Sequence, residues 1–167
     1  DEYLFQCEGK WDGKDHIRAL ARTVPTANPH WADWFYIWYL GMVDQWRGIN
    51  HRLYGNSVAP LLISKQGFNK STFCRRLIPQ ELQWGYTDNL VLSEKRQVYQ
   101  AMAQTLLINL DEFNQISPQV QQGFLKNLIQ LPNVKMKRPY GGHVEEFPRL
   151  ASFIATSNMD DILTDPS

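Results

Sequence analysis

Three short apolar runs, VAPLLI (58–63), TLLINL (105–110) and LASFIAT (150–156), are the strongest constraint on how this chain can fold. They carry Leu, Ile, Val and Phe with little polar alternation, the pattern of strands buried on both faces. The stretches between them carry helical signals. Residues 70–78 read as a helix stopped by Pro79, and Ser93-Glu94 opens another that runs to about Gln104. Ser117-Pro118 is an N-cap followed by proline at the first helical position, which predicts a helix to about Gln130. Residues 134–147 read as a hairpin turning at Gly141-Gly142. Apolar strands that alternate with helices specify an α/β fold with a mainly parallel sheet.

The chain before residue 57 has a different texture. Residues 14–23 place Ile17, Leu20 and Ala21 at helical spacing, and Val24-Pro25 ends the pattern. Asn28-Pro29 then starts a tryptophan-rich helix predicted to reach about Leu53, with Trp31, Trp34, Phe35 and Trp38 at i, i+3, i+4 and i+7. No basic face accompanies this stripe, so it is read as core and not as a membrane-surface face. The apolar run 31–43 is too short to span a bilayer, and Asp33 interrupts it. Tyr54-Gly55-Asn56-Ser57 is a turn. The expected organisation is a helical lead-in over 1–56 and an α/β core over 57–167. The chain opens on Asp1 and stops at Asp165-Pro166-Ser167, which reads as a core cut short at its C-terminal end.

Charge limits the function classes. The 167 residues contain 17 basic and 17 acidic side chains, a formal net charge of zero. This excludes a basic coat that holds nucleic acid by bulk charge, so any polyanion must be met by a local arrangement. Hydrophobic residues at 43% and aromatic residues at 13% exclude a disordered chain. Two cysteines, Cys7 and Cys74, are too few for a disulfide scaffold, which predicts a reducing, cytoplasmic compartment and no membrane partner. His16, His30, His51 and His143 lack metal-ligand spacing and are read as surface side chains.

The chemistry is concentrated at the ends of the three apolar runs, where open α/β sheets bind ligands. After the first comes Ser64-Lys65-Gln66-Gly67-Phe68-Asn69-Lys70-Ser71-Thr72. It has the shape of a phosphate-binding loop, G-x-x-x-x-G-K-[ST], in which backbone N–H groups curl around phosphate oxygens. Lys70 stands where a lysine reaches the β- and γ-phosphates, and Ser71 where a hydroxyl holds Mg²⁺. Ser64 and Asn69 replace the two outer glycines, while Gly67 remains between them. Asparagine is the non-glycine residue most tolerant of positive φ, so Asn69 is expected to preserve the turn. The second run delivers Asp111 and Glu112, a metal-binding carboxylate and a water-activating one in a nucleotide hydrolase. The third ends in Ser157 and Asn158, with Asn158 placed to contact the γ-phosphate or the attacking water.

Taken together, SKQGFNKSTF, LLINLDEF, KRPYGG and RLASFIATSN resemble the virulence-associated protein E family of bacteria and mobile elements. That family is similar to the helicase-like ATPase portion of phage primases, within the AAA+-type phosphate-loop NTPases. The resemblance covers roughly residues 58–167 and extends more loosely to the helices before them. It implies a three-layer phosphate-loop NTPase core and a Mg²⁺-dependent ATPase acting on DNA in the replication of mobile elements. ATP and Mg²⁺ are the implied cofactors. Lys70, Asp111, Glu112 and Asn158 would carry the catalysis, Ser71 and Asp111 the metal, and residues 64–72 the nucleotide. It also implies a ring-like homo-oligomer of the full-length protein. The paired arginines that usually follow the third strand are absent from these 167 residues, so turnover is expected to need an arginine from further along the protein or from a neighbouring subunit. The replaced glycines favour an alternative, a non-catalytic interaction module with a degenerate phosphate loop.

The hairpin is the candidate DNA contact. Lys135 and Lys137 alternate onto one strand face, and Arg138 and Tyr140 add a cation and a ring. The competing reading sets these lysines against the glutamates of the returning strand. Arg149 is read as a surface residue or a contact to a neighbouring subunit.

Overall fold

A computed structural model describes residues 2–48, 53–137 and 140–158. The helical lead-in comprises α1 (Glu2–Cys7), α2 (His16–Ala21) and α3 (Trp31–Gln45). Then come β1 (Leu61–Ser64), α4 (Lys70–Arg76), β2 (Tyr86–Thr87), α5 (Lys95–Gln104), β3 (Leu107–Leu110), α6 (Pro118–Gly123), β4 (Asn133–Lys137), β5 (Val144–Pro148) and β6 (Ser152–Asn158). Four strands form one sheet in the order β1-β6-β3-β2, every neighbouring pair parallel. The fold is mixed α/β with a parallel sheet, and β4 and β5 stand apart as an antiparallel hairpin.

The absence of alternation in the apolar runs has a direct structural cause. Side chains alternate across a strand, so β3 and β6, covered on both faces, need residues that bury well at every position. β1, at the sheet edge, departs from the expectation: Leu62 is buried, but Leu61 and Ile63 are 44% and 45% exposed. Leu107 and Ile154 pack with Leu62 against α3 and α4 in one core cluster, which includes Phe35, Trp38, Met42 and Cys74. Ile108, Leu110, Phe153 and Ala155 point to the other face and pack with Val98 and Met102 of α5 and with Phe124. The second cluster is tight enough to set the Phe124 and Phe153 rings edge-on at 4.8 Å.

Several helix ends differ from the sequence expectation. The tryptophan helix stops at Gln45 because Gly48 takes φ 66° and returns its N–H to the Gln45 carbonyl at 3.1 Å. The stripe itself divides. Phe35 and Trp38 are buried, and the Trp31 indole donates to the Ala21 carbonyl at 2.9 Å. Trp34 is not core: it is 58% exposed and stacks on His30. The buried face runs Phe35, Trp38, Met42 and Gln45, displaced from the phase that the tryptophans alone marked. α4 ends at Arg76, with Leu77 and Ile78 buried in the turn that follows. The helix begun at Ser117, whose side chain accepts the Val120 N–H, changes to a π turn over Phe124–Leu128. β2 was not anticipated; its two residues, Tyr86 and Thr87, are too few to make an apolar run.

Arg149 corrects the sequence reading most clearly. It is 1% exposed, and its guanidinium donates to four backbone carbonyls: Ala151 at 2.7 Å, Ile129 at 2.5 Å, Leu131 at 3.0 Å and Asn56 at 3.0 Å. Burial lowers its pKa to about 9, which leaves it charged at neutral pH. Gly55 passes so close to Leu131 O and to this guanidinium that a Cβ would not fit. Gln45 adds a second tie, donating to the Ala151 carbonyl at 2.6 Å while accepting the Asn56 N–H at 2.8 Å. These groups bind the turn after the lead-in to the entry of β6.

His16, His30 and His143 are exposed, as expected, and His51 lies outside the described residues. Cys7 and Cys74 are both free, the second buried with its thiol pushed up to about 12. Among the described residues no helix is long and apolar enough to cross a membrane.

Replacing Arg149 with alanine strands several buried carbonyls, each worth about 1–3 kcal/mol when left unpaired. R149A should therefore lose at least about 3 kcal/mol of unfolding free energy, read from the urea midpoint. R149K should recover little of it, because one ammonium lacks the fork that reaches four carbonyls.

Candidate functional site

Parallel strands put their carboxyl ends at one edge of the sheet, and the three apolar runs all finish there. β6 lies between β1 and β3, with Ser64 in register with Asn158 and Leu110 with Ala155. The loop after β1, the acidic pair after β3 and the end of β6 therefore meet. They enclose a cavity of about 290 Å³ lined by residues 66–72, Asp111, Glu112 and Thr156 through Asn158. Ser64 and Lys65 border it through their contacts to Lys70.

The loop keeps its turn without its outer glycines. Gly67 adopts φ 92°, and Asn69 sits in the left-handed region at φ 59°, ψ 33°, immediately before α4. This is the conformation the sequence predicts for Asn69, one of the few side chains that enter it readily. Ser64 closes the strand at the other end. Its hydroxyl and carbonyl both accept from Lys70 Nζ, at 2.9 and 3.1 Å, and the Lys65 carbonyl accepts at 3.2 Å. Lys70 is thus folded over its own loop, with three oxygens around the ammonium.

Across the cavity, Asp111 Oδ1 accepts from two hydroxyls, Ser71 Oγ at 3.3 Å and Thr156 Oγ1 at 2.6 Å. No hydrogen bond to Oδ2 is made among the described residues. Glu112 is held at φ 52°, ψ 48°, a left-handed conformation that costs a non-glycine residue about 1–2 kcal/mol. Its backbone N–H donates to Thr156 Oγ1 at 3.3 Å, and both carboxylates are exposed. Asn158 is fixed by its N–H, which donates to Asn114 Oδ1 at 3.3 Å. Ser157 Oγ is buried with no hydrogen-bond partner among the described residues.

The structure thus brings Gln66, Gly67, Phe68, Asn69, Lys70, Ser71, Thr72, Asp111, Glu112 and Asn158 to one cavity. It leaves Lys135 and Lys137 elsewhere, exposed on β4. Lys135 lies directly across from Glu146, and Lys137 across from Val144. Arg138 lies outside the described residues. Sequence reasoning missed Thr156, which it counted only as the end of a buried strand. A hydroxyl two residues before Asn158, at the end of a largely apolar run, was the available signal. Ser71 and Asp111 supply oxygen donors of the kind Mg²⁺ prefers. Among the described residues no three or more His, Cys, Asp or Glu side chains gather to hold a metal by protein ligands alone.

Fold and site together define an α/β protein with a lysine-bearing loop facing two carboxylates at the carboxyl edge of a parallel sheet. The profile of the virulence-associated protein E-like domain matches residues 4–167, so the chain belongs to that family. No curated protein matches the sequence. Among solved structures it is similar to the NrS-1 C-terminal region, in the A form apo structure, with a TM-score of 0.51 and 16% identity. That likeness covers 86% of this chain and 32% of the other, and at such identity it is a likeness of fold. The chain spans about a third of that solved chain.

Asn69 gives a direct test of the loop. N69G should leave stability within a few tenths of a kcal/mol, whereas N69A should lose about 1 kcal/mol, because alanine strains at positive φ. Urea unfolding of the two variants reads the difference.

Proposed function

We propose that this chain binds ATP with Mg²⁺ and is the helicase-like ATPase module of a virulence-associated E protein acting in DNA replication. One observation carries the reading: Lys70 and Ser71 at the start of α4, Asp111 and Glu112 after β3, and Asn158 at the end of β6 surround a single cavity. A phosphate-loop NTPase core requires this arrangement, and the sheet order β1-β6-β3-β2 supports it.

In this reading the loop amides cradle the phosphates, and Lys70 exchanges its three loop oxygens for β- and γ-phosphate oxygens. Ser71 and Asp111 would hold Mg²⁺, which when bound neutralises charge on the phosphate oxygens. Glu112 orients a water and accepts its proton as the water's oxygen attacks the γ-phosphorus and ADP leaves. The Asn158 amide hydrogen-bonds that water or the γ-phosphate. An arginine from elsewhere in the protein or from a neighbouring subunit completes the charge stabilisation. On the hairpin Lys135 lies across from Glu146 and Lys137 across from Val144, so only Lys135 has an acidic residue opposite it in register. The non-catalytic alternative draws on Ser64, whose hydroxyl gives Lys70 an acceptor that phosphate must displace.

Thermal melts of the 167-residue chain test the proposal. A ligand that binds only the native state stabilises it by RT ln(1 + [L]/Kd), about 2.7 kcal/mol at a hundredfold excess over Kd. Millimolar Mg²⁺-ATP should raise the wild-type midpoint by several degrees, and K70A should lose most of that rise. A wild-type chain whose midpoint does not move sinks the nucleotide reading.

A further inference from the structure

Thr156 occupies an unusual position in the site just described. It is 1% exposed, on the strand between the one that carries the loop and the one that delivers the acidic pair. Its hydroxyl is used in both directions. The proton goes to Asp111 Oδ1 at 2.6 Å, and the oxygen accepts the backbone N–H of Glu112 at 3.3 Å. One side chain therefore contacts both carboxylate residues, the first at its carboxylate and the second at the strained backbone that aims it.

We propose that Thr156 is a positioning residue: it fixes the Asp111 carboxylate and the Glu112 backbone together, in the register Mg²⁺-nucleotide requires. This rests on the nucleotide reading and names a determinant of it that the loop motif and the acidic pair do not contain. The physical argument has three parts. A hydrogen bond to a carboxylate is strong and directional, and at 2.6 Å it sets which Asp111 oxygen is occupied. Ser71 donates to the same Oδ1 at 3.3 Å, so Oδ2 is the oxygen left without a hydrogen bond among the described residues. Finally, Glu112 at φ 52° persists only where its surroundings hold it, and the Thr156 oxygen is the acceptor of its N–H. Threonine suits this task because β-branching stiffens χ1 within a strand, so the hydroxyl does not wander.

Partners that orient metal ligands typically matter by about 10–100-fold in metal affinity when removed. The test is a Mg²⁺ titration at fixed, saturating ATP, followed by thermal midpoint, for wild type, T156V and T156S. Valine keeps the shape and deletes the hydroxyl; serine keeps the hydroxyl and deletes the methyl. T156V should need about tenfold more Mg²⁺ for the half-maximal shift, while retaining the ATP-only shift measured in EDTA. T156S should titrate like wild type. The proposal is overturned if T156V titrates like wild type, or if T156S is impaired as much as T156V, since packing and not the hydroxyl would then be at work. Should circular dichroism show T156V unfolded, T156A replaces it and is read by the same criteria. A wild-type chain that does not respond to ATP under any condition sinks the nucleotide reading and this proposal together. A responding wild type with an unaffected T156V sinks only the role of Thr156.

Discussion

The site depends on the double pairing of β6. Ser152 through Ser157 are buried, and the strand hydrogen-bonds to β1 along one edge and β3 along the other. A buried backbone must have partners for its N–H and C=O groups, and parallel pairing on both sides supplies them. The same pairing sets the geometry of the candidate site at the strand's far end. It fixes the separation of the loop after β1 from the acidic pair after β3, because each is tied to β6 by register. The polar residues that finish β6 stand between the two by necessity. A slip of β6 by one residue would turn Thr156 away from Asp111 and put Phe153 on the wrong core.

What anchors β6 at its entry is polar. Arg149 and Gln45 engage backbone groups of the turn around Asn56, the segment before β4 and the start of β6 itself, Gln45 accepting the Asn56 N–H and Arg149 donating to its carbonyl. Burying a guanidinium with no carboxylate beside it among the described residues is costly, and four carbonyl acceptors offset part of that cost. The gain is directional, since apolar contacts would let α3 slide over the sheet whereas these hydrogen bonds admit one placement. The helical lead-in is therefore fixed relative to the strand that organises the site. The family profile, which begins at residue 4, spans both.

Legibility in the sequence followed the physics of each feature. β3 and β6 were visible because burial on both faces demands unbroken apolar runs, and β1 shows the same texture although Leu61 and Ile63 are exposed. Asn69 was legible because few residues tolerate its φ. β2 was not legible, since two residues carry no pattern. The tryptophan stripe misled in part: helical spacing identifies a face but not the direction in which it turns, so Trp34 projects outward while Met42 and Gln45 turn in. Arg149 was misread because charge predicts exposure unless backbone acceptors converge, and convergence of residues 56, 129, 131 and 151 is a property of the fold alone. Thr156 was hidden for a related reason. As a β-branched residue it belongs in a strand whether or not its hydroxyl has work to do.

The two replaced glycines then have different physical standing. Asn69 preserves the backbone conformation, so at that position the loop is altered in composition and unaltered in shape. Ser64 adds a group that a glycine lacks, and that group contacts the lysine at 2.9 Å. The substitution therefore acts on Lys70 and not on the path of the chain. It adds one more oxygen to an ammonium that already has two carbonyls, and in the nucleotide reading proposed above ligand phosphates would compete with all three. The zero net charge sharpens this competition, because the chain carries no overall basic excess to add long-range attraction for an anion. In the nucleotide reading, attraction would come from Lys70 and the loop amides, so the strength with which Ser64 holds that one lysine would set the threshold an anion has to exceed.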